Sequence, residues 1–109
     1  MKNQQLVRLK FIDAMFHEHG RLKRSFLVEL FDISEITATR DLRLYEELQA
    51  CTYYDRSEKV FKSAVGYQPV AALWEDQSPE AFLAALKVVF NVDIGDIPVV
   101  QVGVKKRSV

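Results

Sequence analysis

Apolar residues recur at steps of three and four positions through the first half of the chain, which is the spacing of one buried face of an α-helix. The pattern predicts a helix over about residues 4–19, which Gly20 ends, and a second helix over about residues 23–31. A third helix, with Ser34 as its N-cap, is predicted to run to about residue 48. Because a turn of only about three residues separates the last two helices, the three together predict a helix-turn-helix.

The pattern becomes that of β-strands after residue 50. The segments CTYYD and KVFKS are rich in aromatic and β-branched residues, and the polar turn RSE lies between them, which predicts a β-hairpin. Three helices followed by a hairpin predict a winged helix. The expected fold is therefore mainly α with a small β-hairpin, and we assign residues 1–66 to a winged helix-turn-helix DNA-binding domain.

Residues 67–109 add a connector, a fourth helix and a strand to this domain. The helix has Ser78 as its N-cap and Pro79 at its first position, and the strand is predicted over about residues 99–104. We interpret this part as a dimerisation or linker element, the alternative being that it folds back and enlarges the domain's own core. The residues predicted to form the dimer surface are Trp74, Phe82, Leu86 and Phe90.

Charge is balanced along the chain, with 15 Lys and Arg against 15 Asp and Glu and a formal net charge of zero. Nucleic-acid-binding proteins commonly carry a basic excess, so a case for DNA must rest on where the cations lie. No apolar run reaches the roughly 20 residues that cross a bilayer, and the N-terminal stretch lacks the apolar block of a signal peptide. We expect a cytoplasmic, nucleoid-associated protein without a membrane partner.

Catalytic and metal-binding patterns are missing from the sequence. His17 and His19 would point about 200° apart on a helix, so they cannot readily share a metal ion. Cys51 is the single cysteine and cannot form an internal disulfide. Gly-rich phosphate loops and nucleophile elbows are also absent. We therefore expect no enzyme activity, no metal site and no cofactor.

The third helix divides into two faces when its residues are placed at about 100° per position. One arc is predicted to pack inward and holds Ala38, Asp41, Leu42, Tyr45, Leu48 and Gln49. The opposite arc is predicted to read bases in the major groove of DNA and holds Ile36, Thr39, Arg40 and Arg43. Arginine can donate two hydrogen bonds to guanine, threonine can bond either kind of group, and isoleucine can contact a thymine methyl. Glu47 lies on the same arc, and the alternative is an ordinary solvated face in which Arg43 and Glu47 form a routine i,i+4 pair.

Further residues are predicted to contact the DNA backbone, because phosphate contacts come from cations, hydroxyls and helix N-termini. They lie at the start of the second helix, at the start of the third helix, and on or beside the hairpin turn. These residues are Arg21, Lys23, Arg24, Ser34, Thr37, Arg56, Lys59 and Lys62. Asp41 is predicted to pair with Arg40, Lys23 or Arg24 and to hold those side chains towards the backbone, the alternative being a plain surface acid.

The stretch FDISEITATRDLRLYEEL resembles the recognition segment of DeoR-type winged-helix regulators. From about residue 20 to residue 70 the chain is similar to the N-terminal winged-helix domain of the WYL-domain transcriptional regulators of bacterial phage-defence islands. The matching positions are Ser34, Ala38, Thr39, Asp41, Leu42, Tyr45, Tyr54, Asp55, Lys59, Phe61, Tyr67 and Pro69.

The resemblance implies a homodimeric repressor that binds an inverted-repeat operator in double-stranded DNA. It also implies that the effector, which is unknown, is sensed by a domain that this sequence lacks. The chain would then be either a fragment of a longer regulator or a short relative without the sensor. A second hypothesis keeps the winged helix but gives it a protein partner and no DNA target.

Overall fold

The computed structural model describes residues 3–90 of the chain. Their elements, in chain order, are α1 Asn3–His19, β1 Arg21–Leu22, α2 Arg24–Phe31, α3 Glu35–Leu48, β2 Thr52–Asp55, β3 Val60–Ser63, a 3₁₀ turn Ala71–Leu73 and α4 Pro79–Phe90. The three strands form one antiparallel sheet, which confirms the predicted winged helix. The strand predicted over about residues 99–104 lies outside the described residues. Within residues 3–90, every helix is too short or too polar to span a bilayer.

The strand β1 is the element that the sequence pattern missed. Gly20 ends α1 with φ +73°, and the next two residues pair with β3, with Arg21 opposite Lys62 and Leu22 opposite Phe61. The sheet order is β1-β3-β2, so this short strand forms one edge of the wing. Arg21 therefore lies on the sheet, which corrects its predicted place at the start of the second helix. That helix begins at Arg24.

The core is built around α1, which packs against α3 and α4. Leu9, Ile12 and Met15 of α1 are fully buried, as the helical spacing predicts. Phe11 meets Phe26 of α2 edge-on, with ring centroids 5.5 Å apart. Because α1 contacts so much of the domain, its polar residues as well as its apolar ones affect how α3 is placed.

The helix α4 folds onto the core of its own chain. Phe82 and Leu86 are each only 7% exposed and belong to the same buried cluster as α1. Trp74 packs edge-on against Phe82, and Phe90 packs edge-on against Phe31. The residues predicted to form a dimer surface thus enlarge the domain's own core, which was the alternative considered for them. Dimerisation itself stays a prediction.

Asp13 is a fully buried carboxylate at the junction of α1, α3 and the connector. Its Oδ1 accepts hydrogen bonds from the hydroxyls of Tyr45 and Tyr67, both at 2.6 Å. Its Oδ2 accepts from the backbone N–H of Val70 and from Nε1–H of Trp74, both at 2.7 Å. A buried charge is tolerated only when its oxygens are satisfied in this way. Four donors from two other parts of the chain therefore converge on one side chain of α1.

The two tyrosines bonded to Asp13 predict how stability depends on alkaline pH. Burial, followed by the bonds to the Asp13 carboxylate, raises the pKa of Tyr45 and of Tyr67 well above the ordinary tyrosine value. Above about pH 10 the unfolded chain releases these protons while the folded chain keeps them, so the free energy of unfolding should fall as pH rises. The expected slope is up to about 1.4 kcal/mol per pH unit for each tyrosine.

Denaturant unfolding at several pH values above 10, with tyrosinate absorbance recorded in parallel, measures this slope. Tyr67→Phe should make the slope shallower. Tyr53→Phe, at a half-exposed position on β2, should leave it as in the wild type. Equal slopes for the wild type and Tyr67→Phe would contradict the raised pKa of Tyr67 beside Asp13.

Candidate nucleic-acid interface

The start of α3 is fixed by its N-cap, Ser34. Its Oγ accepts a hydrogen bond from the backbone N–H of Thr37 at 3.1 Å and donates one to Oγ1 of Thr37, also at 3.1 Å. The cap satisfies one of the N–H groups that a helix leaves unpaired at its first turn. Ser34 and Thr37, both predicted to contact the DNA backbone, are therefore bonded to each other and set where the helix begins.

The outward face of α3 carries the four residues predicted to read bases. Ile36 is 71% exposed, Arg40 and Arg43 are exposed, and Thr39 is half-buried. All four line one shallow, open depression together with Glu35. Among residues 3–90, no acidic side chain pairs with Arg40 or Arg43. The opposite face of the helix is buried, so the predicted division into two faces is the one observed for Ala38, Asp41, Leu42 and Tyr45.

Leu48 and Gln49 were predicted to belong to the packing face, but the structure places them at its margin. Leu48 is 43% exposed, and Gln49 is half-buried and caps the C-terminal end of α3. Both follow Tyr45, which is the last buried residue of α3.

Arg24 links the start of α2 to the outward face of α3. Its Nη1 donates to Oγ1 of Thr39 at 3.2 Å, and its Nη2 lies 3.9 Å from a carboxylate oxygen of Glu35. The sequence placed Arg24 with the backbone contacts. The structure brings it beside the residues predicted to read bases.

A second depression lies between the starts of α2 and α3 and the wing. It is lined by Lys23, Arg24, Ser25, Glu35, Tyr54, Lys59 and Phe61. Lys23 occupies the N-cap position of α2, and no side chain caps that helix. The partial positive charge of a helix N-terminus without a side-chain cap favours an anion, as the nearby lysines do. Cations predicted separately from the second helix and from the hairpin thus meet at one place.

The cations on the wing are not equivalent, although all of them were predicted to contact the DNA backbone. Arg21 is bonded to Glu58, and Lys62 lies 3.1 Å from Glu58 and 3.0 Å from Asp55. Lys62 and Arg21 lower the pKa of Glu58, while the two acids raise the pKa of Lys62. Arg21 and Lys62 are therefore already neutralised within the wing.

Arg56 and Lys59 differ from this pair, because neither forms an ion pair with any residue between 3 and 90. Lys59 adopts φ +58° at the end of the turn, and its N–H bonds to the carbonyl of Asp55 at 2.7 Å. The carboxylate of Asp55 accepts from the N–H groups of Ser57 and Glu58 and so closes the turn. These contacts hold the tip of the wing, where Arg56 and Lys59 stand, in a fixed shape.

Asp41 does not pair with Arg40, Lys23 or Arg24, so that prediction is wrong. The side chain is fully buried against α1, where Arg8 donates to both of its carboxylate oxygens and Gln5 donates to Oδ1 at 3.3 Å. A buried carboxylate on the packing face cannot reach the exposed arginines that flank it in sequence. Its effect on the outward face must pass through the placement of α3.

Sequence reasoning also missed Gln5, Arg8 and Asp13. A signal for Asp13 was present, because Leu9 lies four positions before it and Phe16 three positions after it, which puts an acid on the apolar face of α1. Such an acid requires buried donors. The spacing of residues could not show which tyrosines, which tryptophan and which backbone group would supply these donors.

The histidines of α1 separate, as their angular spacing predicts. His17 Nε2 lies 2.9 Å from a carboxylate oxygen of Glu80 at the start of α4, and Glu18 completes an exposed group of three potential metal ligands. His19 is not part of that group. The contact acts as a polar link between α1 and α4.

The helices α2 and α3 form a helix-turn-helix, and α3 presents exposed arginines beside an antiparallel wing. This arrangement defines a winged helix-turn-helix domain. The family model of the BrxR transcriptional regulator winged helix-turn-helix domain matches residues 4–87, and the chain belongs to this family. The family assignment confirms the resemblance to regulators of this type that the sequence motifs carried.

Curated relatives carry the description "DNA-binding transcriptional repressor CapW". The chain is 36% identical over 64 residues to one from Stenotrophomonas maltophilia, and 39% identical over 64 residues to one from Escherichia coli strain KTE188. Each match covers 58% of this chain and 21% of the relative. The matched region is thus about a fifth of the length of these relatives.

The N-cap of α3 gives a test of how the site is held. Ser34→Ala should lower the free energy of unfolding by about 1 kcal/mol, because the N–H of Thr37 loses its acceptor. Ser34→Asp should retain most of the stability, since aspartate also caps. Ser25→Ala, at an exposed position of α2, is the matched control and should change little. Urea unfolding measures all three, and a Ser34→Ala variant as stable as the wild type would contradict the capping role.

Proposed function

We propose that the chain binds double-stranded DNA in a sequence-specific manner, with α3 in the major groove. The observation that carries this proposal is the exposed pair Arg40 and Arg43, which have no acidic partner among the described residues and stand beside Ile36 and Thr39. Two guanidinium groups held on one rigid helix can each donate a bidentate pair to a guanine.

The depression between α2, α3 and the wing would receive the phosphate backbone. Lys23, Arg24 and Lys59 line it, and the uncapped N-terminus of α2 adds favourable N–H groups. Arg56 extends the cationic surface to the tip of the wing. Arg21 and Lys62 contribute less, because Glu58 and Asp55 already neutralise them. These contacts would fix the position of the domain on the duplex, while α3 reads the sequence.

The zero net charge is compatible with this proposal, because two of the acids do not reach the surface that would face DNA. Asp13 and Asp41 are fully buried. The surface that would face DNA can therefore be more cationic than the chain as a whole.

Repression by a homodimer at an inverted repeat is the biological role we propose. The description of the CapW relatives as transcriptional repressors supports repression. A two-fold symmetric dimer would double the DNA contacts that one small domain makes. Since Phe82 and Leu86 are buried within the protomer, a dimer would have to use other surfaces of the chain.

The first test is truncation of the two arginines. Arg40→Ala and Arg43→Ala should each weaken binding to a duplex selected from a random pool by about 1 to 3 kcal/mol, and should relax the sequence preference. Arg56→Ala is the control for a backbone cation. It should weaken binding to all duplexes alike and reduce the salt slope by about 1.

Fluorescence anisotropy at several salt concentrations measures these effects. A wild-type protein without salt-sensitive affinity for any duplex would contradict DNA binding and favour a winged helix with a protein partner. Equal binding by the wild type and both arginine variants would contradict the assignment of α3.

The second test releases the neutralised cations of the wing. Glu58→Gln should free Arg21 and weaken the hold on Lys62, so that both can reach phosphates. Binding to any duplex should tighten, and the salt slope should steepen by up to about 0.9 for each added phosphate contact. Glu75→Gln, at an exposed acid of the connector, is the matched control. An unchanged slope in Glu58→Gln would show that the β1 side of the wing does not face DNA.

A further inference from the structure

The outward face of α3 depends on how this helix is rotated about its own axis, and two polar links from α1 bear on that rotation. Asp41, fully buried on α3, accepts hydrogen bonds from Arg8 and Gln5 of α1. One turn later, the hydroxyl of Tyr45 donates to Asp13 of α1 at 2.6 Å. In the first link the donors are on α1 and the carboxylate is on α3. In the second link the donor is on α3 and the carboxylate is on α1.

Stability alone does not account for the link at Asp41. Removing two charges from water is costly, and replacing a buried ion pair by apolar side chains of similar size is often neutral or stabilising. The side chain of Arg8 is 12% exposed and that of Asp41 is 1% exposed, so this cost applies to both. A hydrogen-bonded pair depends on orientation more strongly than an apolar contact does, because a hydrogen bond weakens steeply when its donor and acceptor are misaligned.

Helix geometry shows how accurately the rotation of α3 must be set if its side chains are to read bases. Side chains extend the radius of a helix to about 5–6 Å, so a rotation of about 20° moves their outer groups by roughly 2 Å. The useful range of a hydrogen-bond length is only about 0.5 Å. A small rotation of α3 would therefore leave its cations near the DNA but take Arg40 and Arg43 out of reach of particular base edges.

We propose that Arg8, Gln5 and Asp41 are positioning residues for sequence reading: their buried bridge sets the rotation of α3 without contacting DNA. The inference rests on the proposed function and deepens it. It predicts that loss of the bridge lowers discrimination between duplexes, while the sequence-independent attraction to DNA stays as it was. A bridge that only stabilised the fold would have no such selective effect.

The test replaces both charged partners together, with the variant Arg8→Leu plus Asp41→Leu. This avoids an unpaired buried charge, so the domain is expected to fold with wild-type or higher stability. Two anisotropy readouts are needed: the ratio of affinities for a selected and a scrambled duplex, and the salt slope on the scrambled duplex. The ratio should fall by about tenfold, the order of one lost base contact, while the slope is unchanged.

The matched control removes a polar link between α1 and α4. His17→Ala plus Glu80→Ala breaks the bridge from α1 to α4 and should leave the ratio of affinities as in the wild type. A wild-type ratio in the folded Arg8→Leu plus Asp41→Leu variant would overturn the inference. So would an equal fall in the ratio in the control.

A second variant decides the matter if the double replacement does not fold. Gln5→Met removes one donor to Asp41 at a half-buried position and leaves the ion pair with Arg8 intact. A reduced ratio with an unchanged slope in this variant supports the inference, and a wild-type ratio overturns it. If the wild-type protein binds no duplex, the proposed function and this inference both fail. If it binds specifically and the variants are unaffected, only the inference fails.

Discussion

Asp13 is the constraint around which the domain is organised, because a carboxylate with no exposure to water must find its hydrogen bonds inside the protein. Tyr45 brings α3 to it, and Tyr67, Val70 and Trp74 bring the connector. One side chain thus joins the packing face of α3 to the connector that leads from the wing to α4. Each of these parts would have to give up a buried hydrogen bond in order to move independently.

The distribution of charge follows from where the acids lie. Asp13 and Asp41 are buried, and Asp55 and Glu58 pair with Lys62 and Arg21 on the wing. Arg40 and Arg43 are left on the exposed face of α3 without an acidic partner among residues 3–90. A chain of zero net charge can in this way present a cationic surface on one side, which is why the total charge says little about its partner.

The helices, the hairpin and the two faces of α3 could be predicted because each depends on residues close in sequence. Ser34 followed by Thr37, or Ala38 followed by Leu42 and Tyr45, carries its own period and capping chemistry. β1 could not be predicted, since two residues have no period and Leu22 becomes a strand only through pairing with Phe61. The partners of Asp41 and Phe82, and the bond between Glu58 and Arg21, likewise depend on contacts between distant segments. The pairing of Asp41 was therefore predicted wrongly, and the packing of Phe82 was left open.

We propose above all that the outward face of α3 is the part of this domain that contacts DNA. The most direct measurement is an NMR titration of the ¹⁵N-labelled protein with a duplex selected from a random pool, followed at the backbone amides. We predict the largest shifts at residues 34–43, with smaller ones at the start of α2 and the tip of the wing. Shifts that cluster on α4 around Val88 and Val89, with none on α3, would contradict it.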